Sequence, residues 1–150
     1  MGSSCCNGAV PRFTPMTPSE AFAAIALAAV ACDGSLDREE AHALRVQLEG
    51  RTPYRDCKEA AMGALFDGLL TELREQGWQR LLERAIPVLS AEQQETALAM
   101  AAQLVHCDRI VQPVEEELLR SMAAQLVIPP ERSARILEVI ALLNRDSLAG

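Results

Sequence analysis

The chain has 150 residues, the length of one ordinary domain, and 49% of them are apolar, which excludes a disordered chain and supports a single core. Asp and Glu number 21 against 14 Lys and Arg, so a net charge of −7 sets the surface as a whole against nucleic acid and anionic membranes. No uninterrupted apolar stretch reaches the ~18 residues that a membrane span needs.

Twenty-four alanines stand against five aromatics (Phe13, Phe22, Tyr54, Phe66 and Trp78), and no segment alternates cleanly at period two. Alanine favours helix, whereas strands want the aromatic and β-branched residues scarce here. The fold class is therefore all-α. Residues 1–16 hold Gly and Pro breaks without periodicity and read as a flexible N-terminal arm; residues 17–150 read as one helical domain. Thr17-Pro18-Ser19-Glu20 is a capping box that opens the first helix, and Asp33-Gly34 stops it after Ala31. Asp37-Arg38-Glu39-Glu40 opens the second helix, with Ala41, Leu44 and Leu48 inward, and Gly50 to Pro53 break it. A third helix is expected near Arg55 to Glu72, with Ala61, Leu65 and Leu69 at four-residue steps. A short fourth helix follows Gly77, burying Trp78, Leu81, Leu82 and Ala85 and ending near Pro87. Ser90-Ala91-Glu92-Gln93 caps a fifth helix that runs to His106. Pro113 opens a sixth, lined by Val114, Leu118, Met122 and Leu126, with Glu115 at the box position. Pro130 opens a seventh, with Ile136, Leu137, Ile140 and Leu143 inward.

Shifting the sequence on itself by 75 residues lays 20–45 over 95–120 with nine of 26 pairs identical. The apolar matches mean little in alanine-rich helices. Cys32/Cys107, Asp33/Asp108, Glu40/Glu115 and Arg45/Arg120 are harder to dismiss, because each copy then ends a helix at Cys-Asp and places a glutamate seven residues on. The expected architecture is a compact bundle of about seven helices holding two helical hairpins related by a pseudo-twofold axis.

The segments Ala31-Cys32-Asp33-Gly34-Ser35-Leu36-Asp37-Arg38-Glu39-Glu40 and His106-Cys107-Asp108-Arg109-Ile110-Val111-Gln112-Pro113-Val114-Glu115 resemble the two acidic hairpins of the TerB-like family. That family includes bacterial tellurite-resistance TerB proteins and the cytoplasmic domain of a membrane-anchored J-protein co-chaperone. The resemblance covers roughly residues 18–145, and Arg109 stands where a glycine is common. It implies an all-helical cytoplasmic fold, an acidic surface holding divalent cations, and a role in stress-response assemblies at the membrane.

Asp33, Glu40, Asp108 and Glu115 have two readings. As a cation site they offer the carboxylate oxygens that Ca²⁺ or Mg²⁺ prefer. As structure, Glu40 and Glu115 cap helices and Asp33 eases a turn. An EF-hand is excluded, since a loop starting at Asp33 puts Leu44 at position twelve, where a bidentate glutamate belongs. Cys32 and Cys107, with His42 and His106 near in sequence, suggest a thiol or soft-metal site, but zinc spacing is absent and small apolar filling is the plainer role. The five cysteines lack CxxC spacing, and Cys6 stands where a myristoylation pattern wants Ser or Thr. No nucleophile elbow or phosphate loop is present, so no catalytic residue is assigned. Arg132, Arg135 and Arg145 lack the interleaved aromatics of a base-stacking surface. The leading expectation is a non-enzymatic cytoplasmic module that binds divalent cation weakly and docks a protein partner in a membrane-associated complex, without inserting in the membrane or binding nucleic acid. A metal-free scaffold with an acidic face is the alternative, and a thiol-dependent detoxifying enzyme the third.

Overall fold

The computed structural model describes residues 16–106 and 111–148. They form seven α-helices: α1 Pro18–Ala31, α2 Arg38–Glu49, α3 Glu59–Gln76, α4 Trp78–Ala85, α5 Ala91–Val105, α6 Pro113–Gln125 and α7 Pro130–Leu143. No strand occurs among the described residues.

Helix α1 is the axis of the molecule. Its residues from Ala21 to Ala31 are all buried except the half-buried Phe22, and a helix apolar on every side must lie inside. It packs against α2, α3, α4 and α5. Its alanines carry little side chain to hold neighbours off, so those helices approach closely. Helix α6 rests on α4 and α5, and α7 lies along α5 and α6 at the outside.

The starts of these helices were written locally. Thr17 Oγ1 accepts from the Glu20 amide at 3.2 Å while Glu20 Oε1 accepts from the Thr17 amide at 2.9 Å, and Ser90 and Gln93 repeat the exchange at α5. The expected inner face of α4 (Trp78, Leu81, Leu82 and Ala85) is buried in full. Gly77, at φ +90°, joins α3 to α4 in a backbone conformation that side-chain-bearing residues rarely adopt, and the Arg84–Glu72 ion pair ties the two helices together.

Four expectations change. Helix α3 starts at Glu59 rather than Arg55, because Tyr54–Asp56 form a 3₁₀ turn that sinks Tyr54 into the core, where its hydroxyl donates to the Ser19 carbonyl. Ala61 is exposed and Leu65 only half-buried; the buried positions are Leu69 and Leu73, so α3 meets the core through its C-terminal half. In α7 only Ser133 is fully buried; Ile136, Leu137 and Ile140 are half-buried, and Leu143 is 70% exposed, since no described residue covers the outer side of this peripheral helix. Met16, placed in the arm, belongs to the core; residues 1–15 lie outside the described residues.

Candidate functional site

The first acidic hairpin begins where α1 ends at Cys32. Gly34, at φ +89°, donates its amide to the Ala31 carbonyl at 2.8 Å and turns the chain. Asp33 Oδ1 then accepts from both the amide and the hydroxyl of Ser35 at 3.0 Å, an Asx turn that fixes an exposed carboxylate at the loop entrance. From the far side, Arg74 of α3 donates Nε to the Gly34 carbonyl at 2.9 Å. Forty residues separate the two, and no local pattern marks Arg74 for this role.

The loop closes on α2 with a full capping box. Asp37 Oδ1 accepts from the Glu40 amide at 2.7 Å, and Glu40 Oε1 accepts from the Asp37 amide at 3.0 Å. Helix α6 starts 75 positions later, at Pro113, and there Glu115 Oε1 accepts from the Gln112 amide at 2.8 Å. The capping role read for both glutamates is therefore present, in the register of the repeat. An ionised carboxylate has about four acceptor sites, so a capping bond is compatible with further coordination. Asp108 and Cys107 lie outside the described residues.

Cys32 shows how the hairpins relate. Its thiol is half-buried, not wholly buried as a pure core filler would be, and packs against the core. Its pKa is pushed up from 9.0 to about 11, first by burial and then by the negative charges of Glu115, Asp33 and Glu40. Glu115 comes from the second segment and the other two from the first, so negative charge from both segments acts on one thiol. At neutral pH that thiol is protonated, which makes it a poor nucleophile and a poor soft-metal ligand.

The other end of the same helices is built differently. Pro18, Ser19 and Phe22 of α1 and Glu92, Gln93 and Thr96 of α5 line one cavity of about 730 Å³. Helices α1 and α5 thus bring their first turns to the same cavity and pack against each other.

The donor set is hard oxygen, suited to Ca²⁺ or Mg²⁺ and unsuited to soft metals. Among the described residues, no group of three His, Cys, Asp or Glu side chains is gathered closely enough to hold an ion by itself. His42 is exposed on α2 and His106 is the half-buried C-cap of α5. Arg132 pairs with Glu95 at 2.8 Å, so the three C-terminal arginines do not act as one basic face. Among the described residues no helix is long and apolar enough to cross a membrane.

A family model described as tellurite resistance protein TerB matches residues 19–138, from the first turn of α1 into α7. Comparison with curated proteins and with solved structures finds no match.

Proposed function

The chain belongs to the TerB family of tellurite resistance proteins, and from that membership we propose that it acts as a non-enzymatic module whose two acidic hairpins together hold a divalent cation weakly and dock a protein partner. What supports this reading is that the charges of Asp33 and Glu40 in the first hairpin and of Glu115 at the start of α6 all act on the Cys32 thiol. Asp33, Glu40, Asp108 and Glu115 would supply the oxygens. Backbone carbonyls and water would complete the six to eight ligands that Ca²⁺ takes, and so incomplete a protein cage implies a Kd on the order of 10⁻⁴–10⁻³ M. The C-terminal end of α1 adds partial negative charge beside Asp33, which favours a cation there. The ion would relieve repulsion among carboxylates and present a defined surface to a partner in a stress-response assembly at the cytoplasmic side of a membrane.

A metal-free scaffold is the second reading, favoured by the capping bonds that already engage Glu40 and Glu115. Titration of the full chain with CaCl₂ and MgCl₂, followed by amide NMR, separates them. Shifts confined to residues 33–40 and 111–115 that saturate in the millimolar range support the cation site. Amides there that stay still through the titration return these carboxylates to capping alone.

A further inference from the structure

The cavity of about 730 Å³ at the starts of α1 and α5 has a third wall, the turn at residues 50–54 that follows α2. Its volume is that of a small-molecule site. The wall is tied down. The Arg51 amide donates to the Leu48 carbonyl at 2.9 Å, the Arg55 amide to the Arg51 carbonyl at 3.0 Å, and the Tyr54 hydroxyl to the Ser19 carbonyl of α1. The space is thus formed without a ligand, as such sites usually are. Its surface is mixed: Pro18, Phe22, Pro53 and Leu89 are apolar, and Arg51 is the one cation among the described residues that line it.

Arg51 is half-buried, with its guanidinium over the Phe22 ring, 5.5 Å from the centroid, and its Nε donating to the Gln47 carbonyl at 3.1 Å. Those two contacts orient the group and leave both terminal nitrogens without a partner among the described residues. Acids outnumber bases 21 to 14 in the chain, and Arg45, Arg80, Arg84 and Arg132 each pair with a carboxylate. Among the described residues Arg51 pairs with none. A partly desolvated guanidinium gains much from an anion, and a flat fork with Nη1 and Nη2 open matches the two oxygens of a carboxylate. Glu92, the one acid of the lining, is exposed and keeps its water, so Arg51 is the charge that calls for an answer.

We infer that this cavity binds a small organic carboxylate with a flat apolar body, the carboxylate on the Nη1 and Nη2 edge of Arg51 and the ring among Pro18, Phe22, Pro53 and Leu89. Inorganic phosphate also fits a guanidinium fork but leaves the apolar walls uncovered. A neutral ring covers the walls and leaves the fork unanswered. The site stands at the start of α1, whereas the first acidic hairpin follows its end, and the two take ligands of opposite charge.

Amide NMR of the full chain, titrated with sodium benzoate at constant ionic strength, tests this. Benzamide and inorganic phosphate are titrated in parallel. Benzoate should move residues 19–22, 50–54 and 89–96 and saturate near ~1 mM, as suits so small a ligand. Benzamide and phosphate should each bind about 10-fold more weakly, the first for want of charge and the second for want of a ring. Arg51→Lys keeps the charge and loses the fork, so benzoate should weaken by about 10-fold with an unchanged far-UV CD spectrum. Glu92→Gln removes the opposing charge and should tighten benzoate by about 2-fold. The comparison of the three probes on the unaltered protein needs no variant. Benzoate shifts that do not saturate by about 20 mM, or that map elsewhere, would overturn the inference. So would benzamide or phosphate binding as tightly as benzoate, or a Glu92→Gln variant that binds benzoate less well.

Discussion

Gln94 is the most telling single position for the physics of this fold. It is 2% exposed, and all of its amide is in use. Nε2 donates to the carbonyls of Ile86 and Leu89 at 3.2 Å each, and Oε1 accepts from the Val127 amide at 2.9 Å. One side chain on α5 thus holds the turn leading into that helix and the link between α6 and α7. In Gln94→Leu, which keeps the volume, the Ile86 carbonyl retains its bond from the Leu89 amide at 3.1 Å. The Leu89 carbonyl and the Val127 amide lose their partner. A stranded buried group costs about 1–3 kcal/mol. Water can reach the Val127 amide, whose own side chain is exposed, so its share falls at the low end, and the leucine's extra apolar burial offsets part of the rest. The sum is about 2–3 kcal/mol, a Tm lower by roughly 4–12 °C for a chain of this size. Gln94→Glu should cost more at neutral pH, because a buried carboxylate would face two carbonyl oxygens. Those neighbours and burial raise its folded-state pKa above the unfolded value. Its contribution is therefore least harmful below the unfolded pKa and worsens as pH rises through the folded one, so the deficit against wild type should shrink at pH 4 relative to pH 8. Urea unfolding followed at 222 nm measures both variants. A Gln94→Leu deficit under about 1 kcal/mol, or a Gln94→Glu deficit that does not change with pH, refutes this account of the clamp.

Asp33→Asn should weaken Ca²⁺ or Mg²⁺ shifts at the first hairpin with little loss of stability, whereas Glu40→Gln should weaken them while preserving the cap, since glutamine can still accept from the Asp37 amide; equal titrations of both variants and wild type refute the cation site. Cys32, with its pKa pushed up to about 11 from 9.0, should react with iodoacetamide at pH 8 roughly 100-fold more slowly than a free cysteine. Mass-spectrometric peptide rates check it, and a rate equal to free cysteine refutes it. Burial likewise raises Tyr54 from 10.0 to about 12, so Cys32 and Tyr54 both hold protons in the folded state that the unfolded chain releases. Stability from these groups is fully present below pH 9 and falls as pH rises toward 12, which urea midpoints from pH 8 to 11 should show. Ala28→Leu, in the wholly buried α1, should cost about 1–3 kcal/mol by overpacking, measured in the same way; a neutral result would mean that α1 is not closely surrounded.

What was legible in the sequence is what neighbours in sequence decide. The boxes at Thr17, Asp37 and Ser90 each depend on two residues three apart, so their bonds could be read before any packing was known. The inner face of α4 followed from period alone. The start of α3 was misplaced because burial of Tyr54, with its bond to Ser19, is settled by tertiary contact and overrides a continuing helical period. Leu143 was placed inward because a periodic apolar stripe reads the same whether the molecule covers it or leaves it for another to cover. At the candidate site, the capping role of Glu40 and Glu115 was legible and the influence of Glu115 on Cys32 was not. Arg74 reaches Gly34 only through the fold, and the nearness of Glu115 to Cys32 depends on how α5 lies against α1.

That last dependence links composition to function. A helix such as α1, with so few large side chains, gains little from each residue it buries. Its value is geometric, because alanine lets the neighbouring backbones close in from several directions. Helix α5 packs against it, the starts of both line one cavity, and the charge of Glu115, in the first turn of α6, acts on Cys32 at the end of α1. The fold thus sets the charge of Glu115 to act where Asp33, Glu40 and the negative end of the α1 dipole already act, on a chain at −7. Such a concentration of negative charge lowers stability unless a counter-charge answers it. The fold retains it at a surface end, where an ion or a basic partner can reach it, and that placement is the physical reason to look for function there.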